Sequence, residues 1–437
     1  MMKDKKKKEA SQKEHKPNWR EVNASVEDIQ TFLNDNIYLR HNVITGRVEC
    51  RIPSNYESDG SKEWQPITDR IVNTLWRHLS KEKVVRAKDI YRVIESDFVP
   101  DFHPFRHYLD RLPPWNGENH ILVMSTTVLV KGGVDEQLRF AEYLTKWLVG
   151  MVAGWIDATV VNNVILVLIG EQGSYKTTWF NYLLPPELSQ YFYTKTNANR
   201  MGRDDLLTLA QYGLVCCEEL DTMRPSELNQ LKAAVTMPSI DERAAYAHFH
   251  EHRKHIASFC GTGNNALFLN DPTGNRRWLP FEVDAIISPR ENPFNYEGIY
   301  SQAYALYQQG FKYWFSLQEI IRLAAHNRQF EAPRLEYELA SLYFRQPSGA
   351  EPGEFMSVAR AMQIVSTNIS QKLSPVHMGR ALAELGFRRV KYHGVRGYIV
   401  SSRNWNEIHA AQQSMAIQAE PEYESEPGSV DSNVQCF

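Results

Sequence analysis

Cysteine is scarce in this chain, and none of its five cysteines (Cys50, Cys216, Cys217, Cys260, Cys436) forms a C-x-x-C pair. That spacing excludes a zinc ribbon or dithiol redox motif and argues against a disulfide-built secreted fold. Cys216, Cys217 and Cys260 sit in apolar, strand-like runs, where a thiol behaves as a small buried hydrophobe. Also missing is any apolar run near the ~20 residues of a membrane span. The basic start, Lys3 to Lys8, is followed by no apolar stretch and does not read as a signal peptide. The expectation is a reduced, cytoplasmic protein without a membrane segment. A dominant charge of one sign is absent too: 49 Lys and Arg stand against 52 Asp and Glu. Nucleic-acid binding would therefore have to come from local basic patches.

The length of 437 residues predicts two to four domains. The most informative stretch runs from Val164 to Trp179. Val164 to Ile169 is an unbroken apolar run rich in β-branched residues, the pattern of a strand buried on both faces. Gly170-Glu171-Gln172-Gly173-Ser174-Tyr175-Lys176-Thr177-Thr178 follows at once and leads into a helical pattern. Strand, glycine loop with Lys-Thr, and helix make the layout of a phosphate-binding P-loop. Backbone N–H groups surround the phosphates of ATP, Lys176 reaches the β/γ oxygens, and the Thr177 hydroxyl ligates Mg²⁺. Tyr175 stands where a glycine is usual, so its Cβ must fit where close phosphate approach is the rule. The alternative is a glycine turn with an incidental lysine.

Downstream, Tyr212 to Cys217 reads as another buried strand, and it ends in Glu218-Glu219. Ligands of open α/β sheets sit at the carboxyl ends of strands. A nucleotide hydrolase needs one acid near Mg²⁺ and one to orient water, roles assigned to Glu218 and Glu219 respectively. The alternative is a strand running into a charged turn. His255 to Thr262 reads as a third buried strand, with Asn264 beyond it able to hold water or sense the γ-phosphate. Thr273-Gly-Asn-Arg276-Arg277 then opens a fourth strand, Leu279 to Val283, and its two arginines suit a transferring phosphoryl group. Surface salt bridges are the plain alternative for them. Between these strands, residues 241–255 read as a basic, aromatic hairpin carrying Arg243, His250, Arg253 and Lys254, suited to phosphates and bases. Its histidines 248, 250, 252 and 255 invite a zinc reading, but no Cys or clear carboxylate partner accompanies them.

Around this block the expected organisation is as follows. Residues 1–19 form a disordered basic arm, and 20–130 a small N-terminal α+β domain with helices near 69–79 and 87–96 and a hairpin about Thr45-Gly46. Residues 131–345 form the ATPase domain, opened by a long amphipathic helix over 137–156 and closed by a lid near 301–330. A Pro/Gly linker follows at 346–354. Residues 355–408 read as helix, helix and hairpin, a winged-helix domain with Ser374-Pro375 opening its second helix. Arg380, Arg388, Arg389, Lys391 and Arg396 give it a positive face for DNA, with protein docking as the alternative. Residues 409–437 read as a disordered acidic tail.

The order of P-loop, paired acids, basic hairpin, strand ending in Asn264, and Gly-Asn-Arg-Arg-aromatic resembles the virulence-associated protein E family. Its members are like superfamily 3 helicases within the AAA+ class, carried by mobile elements and viruses. His103 to Leu109 and Pro114-Trp-Asn-Gly117 resemble that family's lead-in to the ATPase domain. The resemblance implies an α/β P-loop NTPase fold, AAA+-like, with a mostly parallel sheet flanked by helices. By it, Gly170, Gly173, Lys176 and Thr177 are Walker A, Glu218 and Glu219 Walker B, Asn264 sensor 1, and Arg276 and Arg277 finger or sensor arginines. It implies an ATP- and Mg²⁺-dependent DNA motor or helicase in replication, working as a homo-oligomeric ring such as a hexamer beside a separate primase. A nucleotide-gated DNA-binding scaffold with little turnover is the second reading, supported by Tyr175. A small-molecule kinase is a third, but it shows no acceptor pocket and leaves the winged helix unexplained.

Overall fold

The computed structural model describes residues 23–53, 63–195, 203–242, 251–269, 275–332, 334–349, 351–366 and 373–419. The basic arm, Arg243, His248, His250, Thr273, Gly274 and the tail beyond 419 lie outside them. The chain divides into two compact units, Met1–Phe330 and Glu331–Phe437.

The first unit begins with α1 (Val26–Asn36), closed by a reciprocal cap between Ser25 and Asp28. Strands β1 (Tyr38–Asn42) and β2 (Arg47–Arg51) pair antiparallel across the turn at Gly46, whose φ of 66° suits glycine. With β3 (Gln65–Pro66) and β4 (Asp101–Phe102) they form a sheet of order β3-β2-β1-β4. Helices α2 (Asp69–Leu79) and α3 (Ala87–Ile94) join α1 in burying Ile29, Leu33, Val72, Leu75 and Ile90. No break follows at residue 130. Helices α4 (Pro104–Asp110) and α5 (His120–Ser125) and strand β5 (Val128–Val130) send Phe105, Ile121 and Val128 into the larger core beyond.

That core surrounds a six-stranded sheet. It is built from α6 (Gly133–Ile156), β6 (Ile165–Ile169), α7 (Lys176–Asn181), β7 (Phe192–Lys195), α8 (Arg203–Gln211), β8 (Leu214–Cys217) and α9 (Pro225–Val235). The ribbon β9 (Ser239–Glu242) and β10 (Glu251–Lys254) comes next, then β11 (Ser258–Gly263), β12 (Trp278–Ile286), α10 (Tyr296–Gln308) and α11 (Leu317–Asn327). The sheet order is β5-β12-β6-β11-β8-β7. Every neighbouring pair is parallel except β5 with β12. Strand side chains alternate between faces, and here both faces are covered. Leu166 and Leu168 pack into one core, Ile165, Val167 and Ile169 into the other. This explains why the 164–169 run is apolar throughout rather than alternating.

Helix α6 is longer than the predicted 137–156 and is not one-faced. From Tyr143 to Trp155 nearly every side chain is buried, because α10 and the sheet enclose it. Trp147 and Trp155 donate their indole N–H groups to the carbonyls of Phe259 (2.9 Å) and Gly213 (3.0 Å). Leu138 is exposed because it precedes the enclosed portion. Helix α10, expected in a lid, lies in the main core through Ile299, Tyr300 and Ala303.

The second unit starts earlier than expected. Helix α12 (Leu335–Tyr343) and β13 (Phe344–Arg345), predicted to end the preceding domain, bury Leu339, Ala340 and Phe344 in the second unit's own core. The expected linker 346–354 is held inside this unit: Arg345 pairs with Glu351 (2.7 Å) and Gln346 donates to the Leu385 carbonyl (3.0 Å). Then follow β14 (Glu354–Ser357), α13 (Val358–Val365), α14 (Pro375–Glu384), β15 (Arg388–Tyr392) and β16 (Val395–Ser402). Ser374 caps α14 as its sequence predicts. The β15–β16 turn places His393 (φ 45°) and Gly394 (φ 83°) in the left-handed region, the backbone of a two-residue type I′ hairpin. The first part of the expected tail, to residue 419, is helical: α15 (Trp405–Ala419) starts on a reciprocal Asn404–Glu407 cap. No helix among the described residues is long and apolar enough to cross a membrane.

Helix α11 is tethered to α6 by the ion pair Lys146–Glu319 (3.0 Å) and by the contact of His326 Nε2 with the Glu136 carboxylate (2.5 Å). Burial raises the Glu319 carboxyl pKa, but bonds from Ser316 and Lys146 outweigh it and hold the value at about 2. A carboxyl depressed in the folded state adds stability above its unfolded pKa and loses it as pH falls through the folded one. Glu319→Gln should therefore cost on the order of 1 kcal/mol at pH 7. Thermal unfolding curves of wild type and variant should converge as pH approaches 2.

Candidate functional site

Strand β6 ends at Ile169, between Gly263 at the end of β11 and Glu282 within β12. At Gly170 the backbone passes so close to β12 that a Cβ would lie 3.0 Å from the Val283 carbonyl oxygen. The loop then turns through Gly173 (φ 86°) and Tyr175 (φ 61°) into α7. The left-handed backbone at Tyr175 costs a tyrosine about 1 kcal/mol. Its side chain lines the cavity while remaining 47% exposed. Among the described residues the backbone N–H groups from Tyr175 to Thr178 donate to no other backbone group, so the loop's end and the helix start present a row of donors. Lys176 is buried, its ammonium donating to the carbonyls of Gly170 (2.7 Å) and Glu171 (2.6 Å) and lying 3.5 Å from Asn264 Oδ1. Burial pushes its pKa below the ordinary lysine value, opposed by the charge of Asp221.

One cavity of about 410 Å³ joins the stretches singled out in the sequence. Its walls hold Gln172 to Thr178, Glu218, Glu219 and Asn264, together with Thr262 and Gly263. Packing explains the convergence. Cys217, just before the acids, pairs with Gly261, and Gly263 pairs with Ile169, so three strand ends meet at one edge. Gly261 makes that approach possible: a Cβ there would lie 2.3 Å from Leu220 Cδ1 and 2.9 Å from the Cys217 carbonyl oxygen. Glu219 takes a left-handed backbone (φ 53°), turning the chain directly after the strand.

Asp221 was missed in the sequence. Its Oδ2 accepts from the Asn265 backbone N–H (3.1 Å), tying the acidic turn to the loop that carries Asn264. Its Oδ1 is buried without a hydrogen-bond partner among the described residues. The signal was present as the third acid in Glu218-Glu219-Leu220-Asp221, but only the fold shows that this side chain turns toward Gly263.

Arg276 and Arg277 are not brought to this cavity. They precede β12, whose Trp278 pairs with the first residue of β6, whereas the glycine loop follows its last. About 15 Å of strand separates the two within one chain. Asn327 holds their turn by donating to the carbonyls of Asn275 (2.8 Å) and Trp278 (3.0 Å). The hairpin cations Arg253 and Lys254 lie at its base, not its tip; Lys254 donates to the Gly154 carbonyl (3.1 Å). His255 is fully buried with Nδ1 against the Met237 carbonyl (2.7 Å), and no cluster among the described residues could hold a metal ion through His, Cys, Asp and Glu. In the second unit Arg380, Arg388, Arg389, Lys391 and Arg396 are all exposed. Lys391 faces Arg396 across the hairpin, a like-charge pair that costs stability.

Comparison with known proteins follows this geometry. The family profile described as "Virulence-associated protein E-like domain" matches residues 109–332, just over half of the chain. The chain belongs to the virulence-associated protein E-like family. The family match spans both the glycine loop and the acidic pair. Among solved structures, the apo structure of the NrS-1 C-terminal region (305–718) is similar at a TM-score of 0.50 and 12% identity, covering 85% of this chain and 98% of that one. A second form of the same region gives a TM-score of 0.48 at 12% identity, with the same coverage. The first of these likenesses concerns the fold alone: mixed α/β with a largely parallel sheet. No curated protein sequence matches the chain.

The Gly261 approach makes a direct prediction. Gly261→Ala should destabilise the first unit by about 1–3 kcal/mol through overpacking against backbone that cannot yield. Urea unfolding should show a lower midpoint.

Proposed function

We propose that this chain is an ATP-dependent motor on DNA, a helicase-like P-loop ATPase acting in replication of a mobile element or virus. The observation that carries this reading is the single cavity shared by the glycine loop, the two acids and Asn264. The donor set fits a magnesium-bound triphosphate: a row of loop N–H groups, a buried lysine, a threonine hydroxyl and carboxylates at one strand edge. Bound there, ATP with Mg²⁺ would supply an energy-yielding phosphoryl transfer to water. Gly170 to Thr178 would hold the phosphates, and Thr177 and Glu218 offer hard oxygen ligands for the metal. Glu219 would orient and polarise the attacking water, and the Asn264 amide would fix its position. Asp221 would set the place of Asn264 through its bond to the next residue.

Their remoteness within the chain makes Arg276 and Arg277 candidates for completing the cavity of a neighbouring copy, as in a ring. The second unit reads as a winged helix: α13, α14 and the β15–β16 hairpin in order, with Arg380 on the second helix and four cations on the wing. Keeping Lys391 opposite Arg396 against mutual repulsion suits a surface that meets phosphates. A nucleotide-gated DNA-binding scaffold is the second reading, favoured by the strained tyrosine in the loop.

Lys176→Ala should abolish ATP turnover, a loss of at least about 100-fold, in a coupled assay with and without single-stranded DNA. Glu219→Gln should bind nucleotide and fail to hydrolyse it. Turnover surviving in the Lys176 variant would remove the site assignment. Binding without turnover or unwinding in wild type would favour the gate. Separately, Arg389→Ala with Lys391→Ala should weaken duplex binding and reduce its salt slope by about 1–2.

A further inference from the structure

A second cavity, about 630 Å³, opens in the first unit where the β1–β2 turn, α4, the end of α6 and the end of β10 meet. Its lining is lopsided in charge. Arg106, Arg253 and Lys254 face it, with His41, His103 and His252, against the single carboxylate of Asp101. Asp101 is already engaged by His41 (2.8 Å).

Part of this cluster has a structural task. Arg106 donates to the Ile156 carbonyl and Lys254 to that of Gly154, both in the last turn of α6. Cations at this negative helix end are favourable. That task uses one contact from each, while arginine carries five donors and lysine three. Neither side chain pairs with a carboxylate among the described residues. The nearby Asp157 carboxylate, held by Thr159 through Oδ1 and Tyr307 (2.8 Å) through Oδ2, lies outside the lining and offsets part of the Lys254 charge without bonding to it. Burial and the Arg106 charge push the His103 pKa down to about 4, so it adds no cation of its own. Burial also lowers Lys254 to about 8. Like charges gathered in a partly dry wall are costly unless an anion completes them.

We infer that this cavity is a phosphate-binding site and that the phosphates it takes belong to the backbone of a nucleic-acid strand. Three features favour a strand. The volume exceeds one phosphate and suits a nucleotide-sized segment. The lining offers cations and imidazoles, while its one large aromatic, Trp155, is buried and bonded to Gly213, so backbone is recognised and bases are not. The cavity also lies at the base of the β9–β10 ribbon, whose last two residues, Arg253 and Lys254, line it. Gly46 keeps one wall closed: a Cβ there would lie 2.0 Å from Arg253 Nη2, so only glycine lets that guanidinium lie against the turn. The site is separate from the glycine-loop cavity. Ile256 precedes β11, whereas the loop meets the far end of that strand. The inference extends the strand-binding part of the proposed function and does not depend on ATP binding.

The test is anisotropy of a labelled single strand of about 20 nucleotides with the full chain, without nucleotide, at several salt concentrations. Arg106→Gln with Lys254→Gln keeps an amide donor for the α6 carbonyls and removes both charges. It should weaken binding at least tenfold and flatten the salt dependence by about 1–2 in slope. Arg106→Lys with Lys254→Arg should bind as wild type does, and thermal unfolding of each variant checks folding. Titration with inorganic phosphate separates the sources: binding of phosphate lost in the neutral pair while strand affinity is unchanged would overturn the strand and leave a free phosphate compound. Equal strand affinity and slope in wild type and neutral pair, with no phosphate binding, would overturn the site. Equal losses in the neutral and charge-keeping pairs would reduce Arg106 and Lys254 to helix caps. Wild type that binds phosphate but no strand would overturn the strand here together with the DNA reading above, and leave a site for a free phosphate compound.

Discussion

The burial of β6 on both faces is the constraint from which the rest follows. A five-residue strand with no polar side chain cannot sit at a surface, so helices must cover each side of the sheet. Once the strand is central, β11 and β12 lie beside it in parallel, and the end of β11 is brought level with the glycine loop. The loop itself cannot be covered in the same way. Its N–H groups point outward from the end of a strand whose own hydrogen bonds are already satisfied. A polar cavity at that edge is the consequence, and the acids after β8 complete it.

The same parallel arrangement gives the sheet two chemically different edges. Carboxyl ends gather the buried lysine, three acids and Asn264. Amino ends gather Arg276, Arg277 and the cations around the close of α6. Side chains that sequence order interleaves are thereby sorted by strand polarity. Residues 253–254 and 264 lie within a dozen positions of one another, yet β11 carries the chain from one edge to the other between them.

Much of this organisation was legible because it rests on local chemistry. The helix over 69–79, the glycine at the β1–β2 turn and the Ser374-Pro375 helix start each depend on residues within a few positions. The α15 helix was equally local, marked by Asn404-x-x-Glu407, but its polar composition concealed it. The errors elsewhere came from burial. A one-faced α6 was a fair reading of its polar residues, yet the enclosing α10 and sheet leave it almost no solvent face. The unit boundary was misplaced because Leu339 and Phe344 are apolar in either unit, and only packing decides which core takes them.

By itself, the order of residues singled out the groups that the proposed function uses: the glycine loop, Lys176, the acid pair and the exposed wing cations. Their types and spacings follow from backbone conformation and charge, which act over a few residues. Tertiary structure alone decided which of them share a cavity. It turned Asp221 toward Gly263, kept Arg276 and Arg277 at the far edge, and drew Arg106 to Lys254 across nearly 150 positions of sequence. Such meetings depend on strand direction and register, which arise from how whole elements bury their apolar faces together and leave no mark on any single stretch of chain.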